Sequence, residues 1–231
     1  MVSHKYKCIF IHIPKTGGET VISLIDDSDK SIPKHANAAQ IRDYLGEDKW
    51  NEYYKFSIVR NPFDLAISMY SHLRKPLYEK ENIIKKYGKS LLNPVNACET
   101  ACNYSFSKYC EIVFDQAQIQ EEESKKDWPV FHFKPQYDWL IDYQSSLIID
   151  NIILFENYDL GLKGVMEDLG ISKNTVIPKK NKSKHMHYSK YYTKKSYEIV
   201  QKHYSKDIEK FNYTFENKKS FLDEIKLKLI Q

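Results

Sequence analysis

Within Pro14-Lys15-Thr16-Gly17-Gly18-Glu19-Thr20 a lysine, two hydroxyls and two glycines crowd into one short turn. Glycines let a backbone bend sharply and approach a bound group closely, so several amide N–H groups can converge on one point. Lys15 adds a full positive charge, and the chemistry suited to such a turn is the holding of an anion. A second set of polar residues, Arg60, Asn61 and Ser68, follows a later apolar run. Arg60 offers a forked guanidinium that can grip a phosphate, and Ser68 a hydroxyl donor. His35 lies in Ile32-Pro33-Lys34-His35-Ala36, just before a helical pattern. That is a loop position from which an imidazole near neutrality can accept a proton.

The first turn is not a nucleotide-triphosphatase loop, because the lysine precedes the glycines and no Gly-Lys-Ser/Thr follows. Nor is it a dinucleotide fingerprint, which requires Gly-x-Gly-x-x-Gly. Cys8, Cys98, Cys102 and Cys110 are the only cysteines. Cys98 and Cys102 would share a helical face, but no second close pair or histidine cluster completes a zinc site, so free thiols and no metal are expected.

The elements that must position these groups follow from hydropathy. Cys8 to Ile13 reads as a buried strand stopped by Pro14, and Thr20 to Ile25 as a short helix. Ala39 to Leu45 reads as a helix ended by Gly46. Tyr54 to Val59 is a second strand. Asn61 is a suitable cap and Pro62 a suitable first residue for a helix to about Arg74, with Leu65, Ala66, Met69, Tyr70 and Leu73 on its buried face. A helix is expected near Phe106 to Glu122. Trp128 to Tyr137 is aromatic, interrupted by prolines, and reads as a shaped loop. Asn151 to Glu156 is a third strand and Leu160 to Leu169 a helix capped by Gly170. Thr193 to Phe211 reads as one helix, and Phe221 to Ile230 as a closing one.

At 231 residues, with no Gly/Ser/Pro-rich linker, the chain suits one sizeable domain. Lys and Arg exceed Asp and Glu by 35 to 31, a net charge of +4 that does not call for a nucleic-acid partner. Residues 178–195 nevertheless carry seven lysines, two histidines and no acid, the composition of a mobile basic loop that serves as a solvated flap, a phosphate clamp or a nucleic-acid contact. No apolar leader or membrane-spanning run is present, so a cytoplasmic protein is expected.

Taken together, Pro14 to Thr20 and Val59-Arg60-Asn61-Pro62-Phe63-Asp64-Leu65-Ala66-Ile67-Ser68-Met69-Tyr70 resemble the two nucleotide-binding signatures of sulfotransferases. The likeness is to the carbohydrate enzymes related to heparan sulfate 2-O-sulfotransferase and to their bacterial relatives. His35 occupies the loop where that family places a catalytic histidine. His132-Phe133-Lys134-Pro135-Gln136 and the stretch Tyr204 to Tyr213 are also similar to family segments.

The resemblance implies an α/β fold with a P-loop-NTPase-like central parallel sheet flanked by helices. It implies 3′-phosphoadenosine 5′-phosphosulfate as co-substrate, a glycan or glycolipid hydroxyl as acceptor, and no metal. Lys15 and His35 would be catalytic. Lys15, Thr16, Gly17, Gly18, Glu19 and Thr20 would hold the 5′-phosphosulfate, and Arg60 and Ser68 the 3′-phosphate. Ser183, Lys184 and Tyr188, in the basic loop, would close over the nucleotide as a lid. Residues 75–127 match no family segment and are expected to be a helical insertion on the acceptor side. Glu19 stands where Thr or Ser is usual and would repel an anion unless it points away. Leu65 stands where Arg is frequent. The competing readings are a P-loop-like kinase and a non-catalytic nucleotide- or RNA-binding module.

Overall fold

The computed structural model describes residues 1–25, 27–74, 97–123, 134–171, 177, 186–220 and 223. They group into two compact units, the first made of residues 1–61 and 136–182, the second of residues 62–135 and 183–231.

The first unit is built on a four-stranded sheet in the order β1 (Val2–Ser3), β2 (Cys8–Ile11), β3 (Tyr54–Val59), β4 (Asn151–Leu154). β1 runs antiparallel to β2, whereas β2, β3 and β4 are parallel. Every residue of β2 is buried, and β3 is buried from Lys55 onward, as expected of parallel strands covered on both faces. Side chains alternate across a strand, so Cys8 and Phe10 share a face with Phe56, Ile58 and Ile153. On that face they meet Val21 in the middle of α1 (Gly18–Leu24), Ile25 just past its end, and Leu162, Val165 and Met166 of α7 (Tyr158–Asp168). The unit also contains α2 (Ala38–Leu45) and α3 (Glu47–Glu52).

The second unit is helical, with α4 (Pro62–Leu73), α5 (Ala97–Asn103), α6 (Phe106–Glu123), α8 (Lys194–His203) and α9 (Ser205–Lys210). Its core is aromatic. Phe63, Tyr70, Phe106, Tyr109, Tyr192 and Tyr204 are buried together, and the Tyr192 hydroxyl donates to the Phe63 carbonyl at 2.9 Å. Rings of this kind bring large apolar area and, in tyrosine, a polar tip that must find a partner.

Several boundaries differ from the sequence reading for local reasons. β2 ends at Ile11, because the Ile13 N–H turns back to the Ile11 carbonyl. β4 ends at Leu154, and Phe155–Asn157 forms a 3-10 turn. The expected helix 193–211 breaks at Tyr204 into α8 and α9, and Asp207 places an acid in the first turn of the second. α3 and β1 were not expected. α3 is six residues with a single buried residue, Trp50, too little for a periodic signal.

Of the expected basic loop, residues 178–185 lie outside the described residues. Beyond them Tyr188–Tyr191 is a 3-10 turn, and Tyr188, Ser189 and Tyr192 are buried, so this half is packed and does not read as a mobile flap. The helix expected at 221–230 also falls outside the described residues, apart from Asp223, as do residues 75–96 of the expected insertion. Among the described residues no helix is long and apolar enough to cross a membrane.

Candidate functional site

The Gly-rich turn leaves the carboxyl end of β2 and enters α1. Lys15 has φ 67° and Gly17 φ 88°, so two residues of the turn adopt the left-handed region, one of them at the cost a side chain carries there. The turn is held from inside. The buried Thr16 hydroxyl donates to the Ile13 carbonyl at 2.9 Å, and the Tyr158 hydroxyl donates to the Gly17 carbonyl at 2.8 Å. Thr20 also hydrogen-bonds to the Tyr158 hydroxyl. Both glycines are required by their protein neighbours. A Cβ at Gly17 would lie 2.7 Å from the Tyr158 ring and 3.1 Å from that of Phe155, and a Cβ at Gly18 would lie 2.2 Å from the His12 ring. Glu19 is exposed and pairs with Lys34, so a lysine neutralises its charge.

Arg60 follows β3, the strand beside β2 in the sheet. Its backbone is clamped by a buried amide: the Arg60 N–H donates to Gln136 Oε1, and Gln136 Nε2 donates back to the Arg60 carbonyl, each at 2.8 Å. The guanidinium Nη1 donates to the Lys15 carbonyl at 3.0 Å, and the guanidinium carbon stands 4.5 Å over the centre of the Phe155 ring. The next amide, Asn61 N–H, donates to Glu156 Oε1 at 2.8 Å. Two cationic residues, 45 positions apart in sequence, thus meet at the carboxyl edge of the parallel strands. That edge is where open α/β sheets bind ligands.

His35 stands before the capped start of α2, where the Asn37 side chain accepts from the Gln40 N–H and the Gln40 side chain returns the bond. Its Nδ1 is 2.9 Å from the His12 carbonyl. A carbonyl only accepts, so in the neutral ring Nδ1 carries the proton and Nε2 presents a lone pair. The two imidazoles are 4.6 Å apart, and the Trp139 ring meets His35 edge-on at 6.4 Å. Burial pushes the His35 pKa below its ordinary value of 6.5. The bond to the His12 carbonyl opposes that push, and the nearby Lys34 charge reinforces it. The residue is therefore a neutral base at pH 7.

The structure brings Lys15, Thr16, Gly17, Gly18, Glu19, Thr20, His35 and Arg60 into the first unit. Ser68 lies on α4 in the second unit and is buried. Tyr188, in the same unit, is buried against Phe63 and Phe215, and its hydroxyl accepts from the Glu216 N–H at 2.8 Å. Ser183 and Lys184 fall outside the described residues. Sequence reasoning missed Phe155, Glu156 and Tyr158 and took Gln136 only as part of a family-like segment. A Phe-Glu-Asn-Tyr run directly after a strand was the available signal.

Compared with known families, the chain matches the model of the sulfotransferase family over residues 1–214. No curated protein and no solved structure gives a significant match.

Proposed function

The chain belongs to the sulfotransferase family, and from that premise we propose that it moves the sulfuryl group of 3′-phosphoadenosine 5′-phosphosulfate to a hydroxyl of a carbohydrate or glycolipid acceptor. The observation that supports this most is the bond from Arg60 Nη1 to the Lys15 carbonyl. A nucleotide with anionic groups at both its 5′ and 3′ ends calls for two cationic grips, one for each end. The parallel strands, with the Gly-rich turn between β2 and α1, support a P-loop-like reading of the fold.

In the proposed reaction the acceptor oxygen forms a bond to sulfur as the bond from sulfur to the phosphate oxygen breaks. The acceptor proton passes to His35 Nε2, and the charge left on the departing phosphate is met by Lys15 and the amides of Thr16 to Thr20. Donors aimed at developing charge in comparable sites are each worth roughly 3–4 kcal/mol of barrier. In-line placement of acceptor and leaving group supplies the rest. Arg60 takes the 3′-phosphate. By the same family resemblance Ser68, Ser183, Lys184 and Tyr188 are assigned to the nucleotide as well, and no metal has a step in the scheme.

Calorimetric titration tests the donor. Binding of 3′-phosphoadenosine 5′-phosphate in preference to ATP is expected, whereas magnesium-dependent ATP binding would make the protein a kinase. Salt-sensitive RNA binding with no affinity for the donor product would make it a binding module. Lys15→Ala is expected to stay folded and lose transfer of labelled sulfate; full activity in that variant would remove the lysine from the mechanism.

A further inference from the structure

The geometry points to Phe155 and Tyr158 as positioning residues that each set one of the two phosphate grips, an inference that rests on the donor reading above. Both lie in the short segment that follows β4, the strand next to β3. Phe155 serves Arg60. An arginine side chain has several rotatable bonds and can aim its guanidinium in many directions; at 4.5 Å over an aromatic face, with Nη1 bonded to the Lys15 carbonyl, the plane is fixed. The ring also excludes water from one side of the charge, which strengthens attraction toward an anion on the other.

Tyr158 serves the Gly-rich turn. Its hydroxyl donates to the Gly17 carbonyl and hydrogen-bonds to Thr20, and its ring fills the space a Cβ at Gly17 would take. The two rings touch edge to face at 5.7 Å, so one segment braces both grips. Neither ring is needed to touch the nucleotide for this role.

The division of labour makes a test that a merely structural role would not satisfy. Dissociation constants for 3′-phosphoadenosine 5′-phosphate and for AMP are measured by calorimetry, and their ratio reports the 3′-phosphate grip alone. Phe155→Leu is expected to reduce that ratio by about 3- to 30-fold, the range for losing a cation–π contact, with AMP affinity kept. Phe155→Met is the second variant, should leucine disturb folding, and Phe155→Tyr, which restores an aromatic face, is expected to restore the ratio. Tyr158→Phe is expected to weaken both nucleotides by the same factor, about 2- to 10-fold for one lost hydrogen bond.

Equal losses for both nucleotides in Phe155→Leu and Phe155→Met, or no loss, would overturn the role of Phe155. A change of the ratio in Tyr158→Phe would overturn that of Tyr158. Arg60→Ala separates the two levels. If it leaves the ratio intact, the donor reading itself fails; if it collapses the ratio while Phe155→Leu does not, only the present inference fails.

Discussion

His35 commits Nδ1 to the His12 carbonyl, and the sign of its titration follows from burial. Its pKa in the folded protein lies below 6.5, so the basic form persists to lower pH than in a free histidine. The acid limb of the kcat/KM profile, which reports the free enzyme, is therefore expected below pH 6.5, and a limb centred above that value would contradict the assignment. His35→Ala is expected to lower turnover by about 10²- to 10⁴-fold with nucleotide affinity unchanged, the size of a lost general base. Stability moves the same way: the contribution of the buried neutral ring is complete above the unfolded value of 6.5 and is lost as pH falls through the lower folded one. At this scale the sequence was informative about residue type and silent about direction. Glu19 read as a possible source of repulsion, and only the fold places Lys34, 15 residues on, against it.

At the scale of elements, the strand-to-turn-to-helix passage is fixed by what surrounds its glycines. Gly18→Ala would drive a methyl into the His12 ring, which in turn lies tilted against His35. A stability loss of about 1–3 kcal/mol by urea denaturation is expected, as for overpacking elsewhere. The His35 ring signals should shift in the same variant; an unshifted His35 would show that His12 does not transmit the strain. β3 and α4 were legible because Tyr54, Phe56, Ile58 and Val59 make a strand pattern that leads through Arg60 into Asn61-Pro62, a clear helix start. The break at Tyr204 was not, since Tyr197, Val200, Tyr204, Ile208 and Phe211 keep helical spacing across it. The 3-10 turn at Phe155 was hidden for a related reason: a strand pattern cannot show that Glu156 leaves the ladder to accept from Asn61, 95 residues earlier.

The whole molecule interleaves its units along the chain. β4 and α7, which complete the first unit's apolar cluster, come from residues after the first 74 of the second unit. The absence of a linker made a single domain the natural reading, and interleaving leaves no composition boundary to find. Because Lys15 and Arg60 are brought together only in the folded first unit, the donor product should stabilise the fold as a ligand of the native state alone. At a hundred times its dissociation constant it is expected to add about 2.7 kcal/mol, seen as a raised Tm, with AMP giving less at equal concentration. No difference between the two would count against a built 3′-phosphate grip.

The ladder also acts as a gauge. Ile11 is paired with Ser57, so the two turns depart from adjacent strands about 4.8 Å apart, and the spacing of the backbones that carry Lys15 and Arg60 is set by main-chain pairing. One residue inserted between Ser57 and Arg60 would advance the arginine by about 3.3 Å and turn it to the opposite face of the sheet. On the donor reading proposed above, the spacing of the two grips on the nucleotide would thereby be carried by backbone hydrogen bonds.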